Sequence, residues 1–302
     1  MRYFFLVILF FTSSLRAEFG GGYAGAPFRY GTNARGNALA GAMAAEPNFG
    51  FLTFSNPAIG VETTKHQFGF SYFHMSLDRS IQVVNYSRFL PPKGALSVAW
   101  FRSGTDQIIG RDLSGEKTDK MSVSDSYGMV SFSMGFNPRF SAGLNLRALF
   151  SDIADELTAT GITVDLGIFH KMNKKLFLGA MVSGVGGKIS WSQDGGGEEE
   201  KIPMISSGAF SYRHSPKLKI LGQIDGVLIP DHGTEGRVRL ATEYYWQERL
   251  FLRAGMNHTS LTAGFGMQLS VWKLEKIQFD YSLDMGRHGE GISHLFTWAV
   301  LL

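Results

Sequence analysis

The sequence predicts an all-β protein: a transmembrane antiparallel β-barrel of about fourteen strands with a short amino-terminal hatch or plug segment. Three observations predict it. Apolar and polar side chains alternate with period two in segment after segment, the pattern that puts neighbours on opposite faces of a strand. The links between these segments are alternately tight and long. Charge is low (18%) while aromatic residues (13%) and glycine (37 of 302 residues) are abundant, which suits a sheet with lipid on one face and polar contents on the other.

The chain opens like a secretory signal peptide. Arg2 supplies the positive start, Tyr3 to Phe11 form an apolar core, and Thr12-Ser13-Ser14 leads to a cut after Ala17. That apolar run is too short to cross a membrane as a helix, which takes roughly 20 residues. Residues 1–17 are therefore expected to be removed on export, and the destination is the cell outer membrane of a Gram-negative-type bacterium. Mean hydropathy is −0.02, and no other long apolar run follows. Cysteine is absent, so an exported chain must rely on a hydrogen-bonded scaffold instead of disulfides. A net charge of +3, spread along the chain, makes no case for nucleic acid.

The alternation is sharpest in five stretches. Residues 140–151 set Phe140, Ala142, Leu144, Leu146, Ala148 and Phe150 against Ser141, Gly143, Asn145, Arg147 and Ser151, with Leu149 out of pattern. Ile162, Val164, Leu166 and Ile168 oppose Gly161, Thr163, Asp165 and Gly167. The same rhythm runs through 237–246, 261–271 and 277–284. Strands are expected near 65–77, 80–90, 94–104, 121–136, 139–151, 159–170, 175–185, 204–213, 217–229, 236–246, 249–257, 260–271, 275–284 and 291–302. Their length matches the 9–11 residues, roughly, that a tilted strand needs to cross a bilayer. Tight links such as Leu90-Pro91-Pro92-Lys93 and Asn137-Pro138 alternate with long ones at 105–120, 186–203, 230–235 and 285–290. A soluble β-sandwich or β-helix would alternate too. The single run of hairpins, the paired loop lengths, and charges such as Arg147, Asp165 and Glu243 on the polar face favour the membrane barrel.

A barrel of this size has a lumen wider than its own side chains fill. The lumen-facing charges are Arg147, Asp165, Asp225, Arg237, Arg239, Glu243, Arg253, Asp280 and Asp284. Both signs occur, so they either pair across strands or form a charged eyelet. Residues 18–64 precede the barrel at 65–302. Within them 33–45 is rich in Ala and Gly and puts Leu39, Ala42 and Met43 on one helical face. This segment is either a hatch inside the barrel or an arm along its rim.

Gly31-Thr32-Asn33-Ala34-Arg35, then Leu39-Ala40-Gly41-Ala42, and finally Asn56-Pro57-Ala58-Ile59-Gly60 carry a family resemblance. Together they resemble the amino-terminal pattern of the PorV/PorQ family, relatives of the FadL-type transporters: G-x-x-A-R, a G-G-A, and an N-P-A before the first strand. Leu39-Ala40-Gly41-Ala42 replaces the family's Met-Gly-Gly-Ala, and Glu46 stands alone where an acidic pair is usual. The resemblance implies a FadL-like barrel with an inserted amino-terminal segment. It implies two roles, transport of a hydrophobic small molecule or service to type IX-like protein secretion and surface attachment, and it marks Arg35, Gly41, Asn56, Pro57 and Ala58 as the hatch motif. Independently, Pro57 fixes its own φ and pushes Asn56 out of the helical region, and the Asn56 side chain is suited to an Asx turn. The motif is either a pin for the hatch or a plain turn before the first strand.

No catalytic residue, cofactor or metal site is expected. Ser293 and His294 are adjacent on one strand and point apart. His258 and Ser260 fall in a turn with no evident oxyanion donor. His66, His74, His170, His214, His232 and His288 are scattered without metal-ligand spacing. The run from Gly195 to Glu200 reads as a solvated loop. The expected partners are outer-membrane lipid and either a hydrophobic small molecule or secretion-system proteins. A structural barrel that anchors partners through the loops at 105–120 and 186–203 is the alternative.

Overall fold

The computed structural model describes residues 24–302 apart from 48, 77, 112–113, 155–156, 193–196, 231–232, 248, 272–273 and 287–290. The expected signal peptide at 1–17 lies outside the described residues, as do His232, His288 and Gly195. Among the described residues fifteen strands run in chain order: β1 (His66–His74), β2 (Arg79–Leu90), β3 (Gly94–Arg111), β4 (Lys117–Asn137) and β5 (Phe140–Ile153). Next come β6 (Leu157–Lys171), β7 (Leu176–Trp191), β8 (Glu199–Lys201), β9 (Met204–Ser215) and β10 (Leu218–Ile229). The last are β11 (Gly233–Gln247), β12 (Leu250–Met256), β13 (Leu261–Val271), β14 (Leu274–Asp284) and β15 (Ser293–Leu301).

Each strand pairs antiparallel with the next, except that β8 only adds a short edge to the far end of β7, which pairs onward with β9. The ring closes where β1 meets β15, from Gln67↔Leu301 to His74↔His294. Among the described residues this makes a closed barrel of 14 strands. Among the described residues closure leaves the fourteen wall strands without an open end to the sheet, which is what a strand protein needs in a solvent without hydrogen bonds.

The barrel is inside-out. Along β1, exposed Phe68, Phe70 and Tyr72 alternate with buried Gln67, Gly69, Ser71 and Phe73. The outward band continues through Trp100, Val130, Leu146, Ile162, Ile224, Trp246 and Trp298, with Trp100 48% and Ile162 62% exposed. Such a face is stable against hydrocarbon and costly against water.

Three expectations need correction. The link expected at 105–120 is largely ladder, since β3 and β4 stay paired as far as Arg111↔Lys117. Register shifts at 105/108 and 109/111 break the period of two, which hides a strand from any reading of alternation. The same holds at 186–203, where β7 runs on to Trp191 and meets β8. The helix expected at 33–45 is only Ala34–Ala38. It is capped by Asn33, whose Oδ1 accepts from the Gly36 N–H at 2.7 Å. It stops because Ala40 and Gly41 take left-handed backbone, φ 51° and 75°. Leu39, Ala42 and Met43 nonetheless pack together, against Leu221 and Ala241.

The inward face is not polar throughout. Phe73, Ile81, Phe101, Tyr127, Met129, Leu149, Ile189 and Leu295 point inward and form one buried cluster with Phe28, Phe51 and Phe54. Leu149, out of pattern in the sequence, is 1% exposed here. These positions lie toward the long-loop end of their strands, and they meet other side chains rather than water.

Two outcomes follow for the protein in membranes. Unboiled protein should run faster on a gel than boiled protein, because a closed barrel resists detergent unfolding. Val130→Arg, on the lipid face, should cost about 2–4 kcal/mol in refolding into liposomes if the site lies near the bilayer centre. A cost near zero would place Val130 outside the hydrocarbon.

Candidate functional site

The lumen is occupied by the chain's own amino-terminal segment, residues 24–63. Room for it comes from glycines at inward positions of the wall. A Cβ on Gly143 would meet the Pro57 backbone, one on Gly167 the Asn56 side chain, and one on Gly179 the Ala44 carbonyl. Gly255 and Gly264 make the same allowance for Leu39, Ala40 and Ala38, and Gly69 for Gly50 and Phe51. Wall side chains then bond the segment's backbone. Asn145 Nδ2 donates to Thr53 O at 3.1 Å, Asn85 Nδ2 to Gly50 O at 2.6 Å, and Ser141 Oγ to Ala58 O at 2.8 Å. The Ala34 N–H donates to Thr297 Oγ1 at 2.8 Å.

The N-P-A residues are fully buried. Asn56 Oδ1 accepts from the Ala58 N–H at 3.0 Å, closing an Asx turn that starts the Pro57–Glu62 helical turn. The Asn56 amide donates to Ala44 O at 2.8 Å and to Ile168 O at 2.9 Å, and it lies 3.5 Å from Ala180 O. Ile168 and Ala180 are directly paired across β6 and β7. One side chain of the segment thus sits on the seam between two wall strands.

That seam is irregular just beyond this point. The β6–β7 register slips on either side of Val164, and Gly184 and Gly186 take φ 78° and 65°, backbone that a side chain would strain. Asp165 holds the break from inside. Its Oδ1 accepts from the Gly184 N–H at 3.2 Å, and its Oδ2 faces Arg147 at 2.6 Å and Asn145 at 3.0 Å. On the outer face a groove of about 1030 Å³ runs from β6 across β7, β9 and β10 to β11, lined by outward-facing Ala180, Ser206, Gly208, Gly226 and Gly236 between Leu166, Ile168, Ile224 and Val238.

Toward the short turns the contacts become ionic. Arg35 Nη2 donates to Glu46 Oε1 at 2.7 Å and to Glu243 Oε1 at 2.9 Å, and its Nε to Glu243 Oε2 at 3.0 Å. Lys219 Nζ reaches Glu46 at 2.6 Å. Arg253 joins Glu243 at 2.7 Å and Asp280 at 2.6 Å. Ser211 Oγ adds a bond to Glu46 at 2.6 Å. Three cations and three carboxylates therefore balance in one buried network. Burial alone would lift the Glu46 carboxyl. Lys219 and Arg35 outweigh burial and hold it below the ordinary 4.5. Burial likewise opposes the Arg35 charge, and Glu243 and Glu46 beside it more than offset this, raising its pKa well above the usual value.

The remaining inward charges pair locally. Arg239 reaches Asp225 at 2.8 Å and donates to Gly41 O at 3.3 Å, and Arg237 reaches Glu235 at 3.1 Å. Asp284 sits at its strand end, accepting from the Gly286 N–H at 2.9 Å. Glu46, marked in the sequence only as the lone acid of the motif segment, and Lys219, not marked there at all, are central to the network. Lys219 was visible as the first inward position of an alternation through Leu221, Gln223 and Asp225. The candidate hydroxyl–imidazole pairs do not form: His294 Nδ1 meets the Tyr281 hydroxyl at 2.8 Å, and Thr259 and Ser260 bond to Asn257. No group of metal-binding side chains is present among the described residues.

No family model and no curated protein matches the chain. Solved structures do. The toluene transporter TbuX of Ralstonia pickettii superposes with a TM-score of 0.66 at 13% identity, covering 90% of this chain and 98% of that one. The toluene transporter TodX of Pseudomonas putida gives 0.60 at 13%, covering 90% and 98%. A FadL homologue of Pseudomonas aeruginosa gives 0.58 at 11%, covering 89% and 97%. At such identities the likeness establishes the architecture: the barrel is FadL-like.

Two measurements probe how the segment is seated. Gly143→Val or Gly179→Val should expose it to protease in the detergent-solubilised barrel. Gly226→Val, with nothing within 4 Å of its added Cβ, should not. Equal digestion of all three would remove the seating argument. The Glu46 carboxyl has a lower pKa folded than unfolded, so its stabilisation is present above the unfolded value and lost as pH falls through the folded one. Protection of the segment should therefore hold at neutral pH and fade in acid, below about pH 4.5. Glu46→Gln should be digested at every pH, and an acid step surviving in that variant would belong to another group.

Proposed function

We propose that this FadL-like barrel resides in the cell outer membrane and passes hydrophobic small molecules, without catalysis, with its amino-terminal segment as the plug. On this reading residues 1–17 direct export, 18–64 form the plug, and 65–302 the barrel. The observation that carries it is the apolar inward lining toward the long loops, where Phe101, Tyr127, Met129 and Leu149 meet Phe28, Phe51 and Phe54 of the segment. A pore for hydrophilic solutes would present charge and water there. TbuX and TodX are toluene transporters and CymD is a monoaromatic hydrocarbon channel, which supports an aromatic or similarly apolar cargo.

The physical sequence is short. A hydrophobic molecule entering between the long loops takes over contacts that Phe28 makes with Tyr127, ring centroids 5.9 Å apart, and that Phe101 makes with Tyr127 at 4.7 Å. The ionic network below disfavours onward passage of an apolar body, since its charges would lose partners and water alike. The irregular seam of β6 and β7, at one end of the apolar groove that runs across the outer face to β11, offers the alternative exit. Asn56 sits on the paired part of that seam just short of the slip, so a shift of the segment there is felt by the wall. Service to protein secretion, which the PorV/PorQ resemblance implies, rests on the motif segment between 31 and 60 alone.

Toluene uptake by cells making the protein, and toluene binding to the solubilised barrel, test the reading. Leu149→Asp puts a carboxylate into the apolar lining and should cut both by about tenfold or more. Wild-type uptake by a Leu149→Asp barrel that still shows heat-modifiable mobility would sink it.

A further inference from the structure

At the short-turn mouth, on the far side of the ionic network from the apolar lining, lies a second cavity of about 240 Å³. Its walls are aromatic: Phe49 of the segment, Phe177 of β7, Tyr245 of β11 and Phe251 of β12. Its charges do not balance. Arg35, Arg213, Lys219, Arg253 and Lys276 line it, against the carboxylates Glu46 and Glu243. Asp280, bonded to Arg253 at 2.6 Å, completes the balanced set. Among the described residues Arg213 and Lys276 are then left over. Lys276 Nζ lies 4.5 Å from the centre of the Phe49 ring, and Arg213 is exposed at the rim.

We propose that this cavity binds a small organic anion, a carboxylate carried on an apolar, ring-sized body. Two surplus cations in a half-enclosed site raise the local potential for an anion. The Arg213 guanidinium offers the planar fork that fits a carboxylate. The aromatic walls supply the apolar contact that an inorganic ion would leave wet. A neutral arene would bury its surface there but leave both cations without a counter-charge. The balanced network forms the floor of the site, so the anion meets the two uncompensated cations without competing for Arg35 or Arg253. This site is independent of the transport reading, whose lining lies at the opposite end of the segment.

Isothermal titration of the detergent-solubilised full-length protein with benzoate tests the proposal, with toluene and inorganic phosphate as competitors. Benzoate should bind saturably. Arg213→Gln and Lys276→Gln should each weaken it by about tenfold or more, the value of one charge-assisted hydrogen bond. Heat-modifiable mobility should be kept in both variants, and Arg102→Gln, on another strand, should bind like the wild type. Toluene should not displace benzoate. The proposal is overturned if no benzoate binds at millimolar concentration, or if the double variant binds it unchanged. It is overturned equally if phosphate competes as well as benzoate does, for the cavity then reads charge alone.

Discussion

A polar backbone placed in hydrocarbon must find every hydrogen bond within itself, and the rest of this structure follows from that demand. The ladder has to close, and it does so by pairing Gln67 with Leu301 and His74 with His294. Closure at fourteen strands leaves a lumen that wall side chains alone cannot fill. The chain meets this by turning residues 24–63 inward. The wall in turn has to admit a second layer of backbone, so Gly143, Gly167, Gly179, Gly255 and Gly264 stand where larger inward side chains would collide. The segment's own carbonyls, deprived of water, are met by Asn85, Ser141 and Asn145.

The ionic network answers a different need. Removing three cations and three carboxylates from water costs several kcal/mol each, roughly, and their attraction offsets much of that without a large surplus. Its effect is geometric. Arg35 reaches Glu46 on its own segment and Glu243 on the wall within 3.0 Å of each, so a shift of the segment by one residue would strand a buried charge. Neutral packing such as Leu39 on Leu221 tolerates sliding. The network and the Asn56 seam contact do not, and between them they specify one seat for a segment whose longest α-helix among the described residues is five residues long.

Period two was enough to place the strands, because each residue of a barrel wall is either in or out and lipid penalises a mistake. It failed at 105–111 and 184–187, where bulges and left-handed glycines insert residues outside the count. The inward charges were legible as a set, since Arg147, Asp165, Asp225 and Glu243 all fall on the minority face. Their partners were not, because a cross-strand pair depends on register, and register is not written in either strand alone. Glu46 was visible only as a lone acid. Its role depends on a fold-back that brings it to Lys219 and Ser211, well over a hundred residues away. Leu149 looked like an error in the alternation, and it marked instead the point where the lumen turns apolar.

The two halves of the lumen therefore impose opposite conditions on the one segment that spans them. Toward the long loops it is held by aromatic contacts, which are non-directional and can be exchanged for those of any apolar body of similar shape. Toward the short turns it is held by charges that accept no such substitute. Displacement must then begin at Phe28 and proceed inward, and it must stop where Arg35 would have to give up Glu243. Asn56 bonds to β6 at Ile168, where β6 and β7 are still paired, just short of the slip in their register. On the proposed reading, a cargo that displaces the aromatic contacts frees the long-loop end of the segment while the ionic contacts keep the mouth on the short-turn side shut.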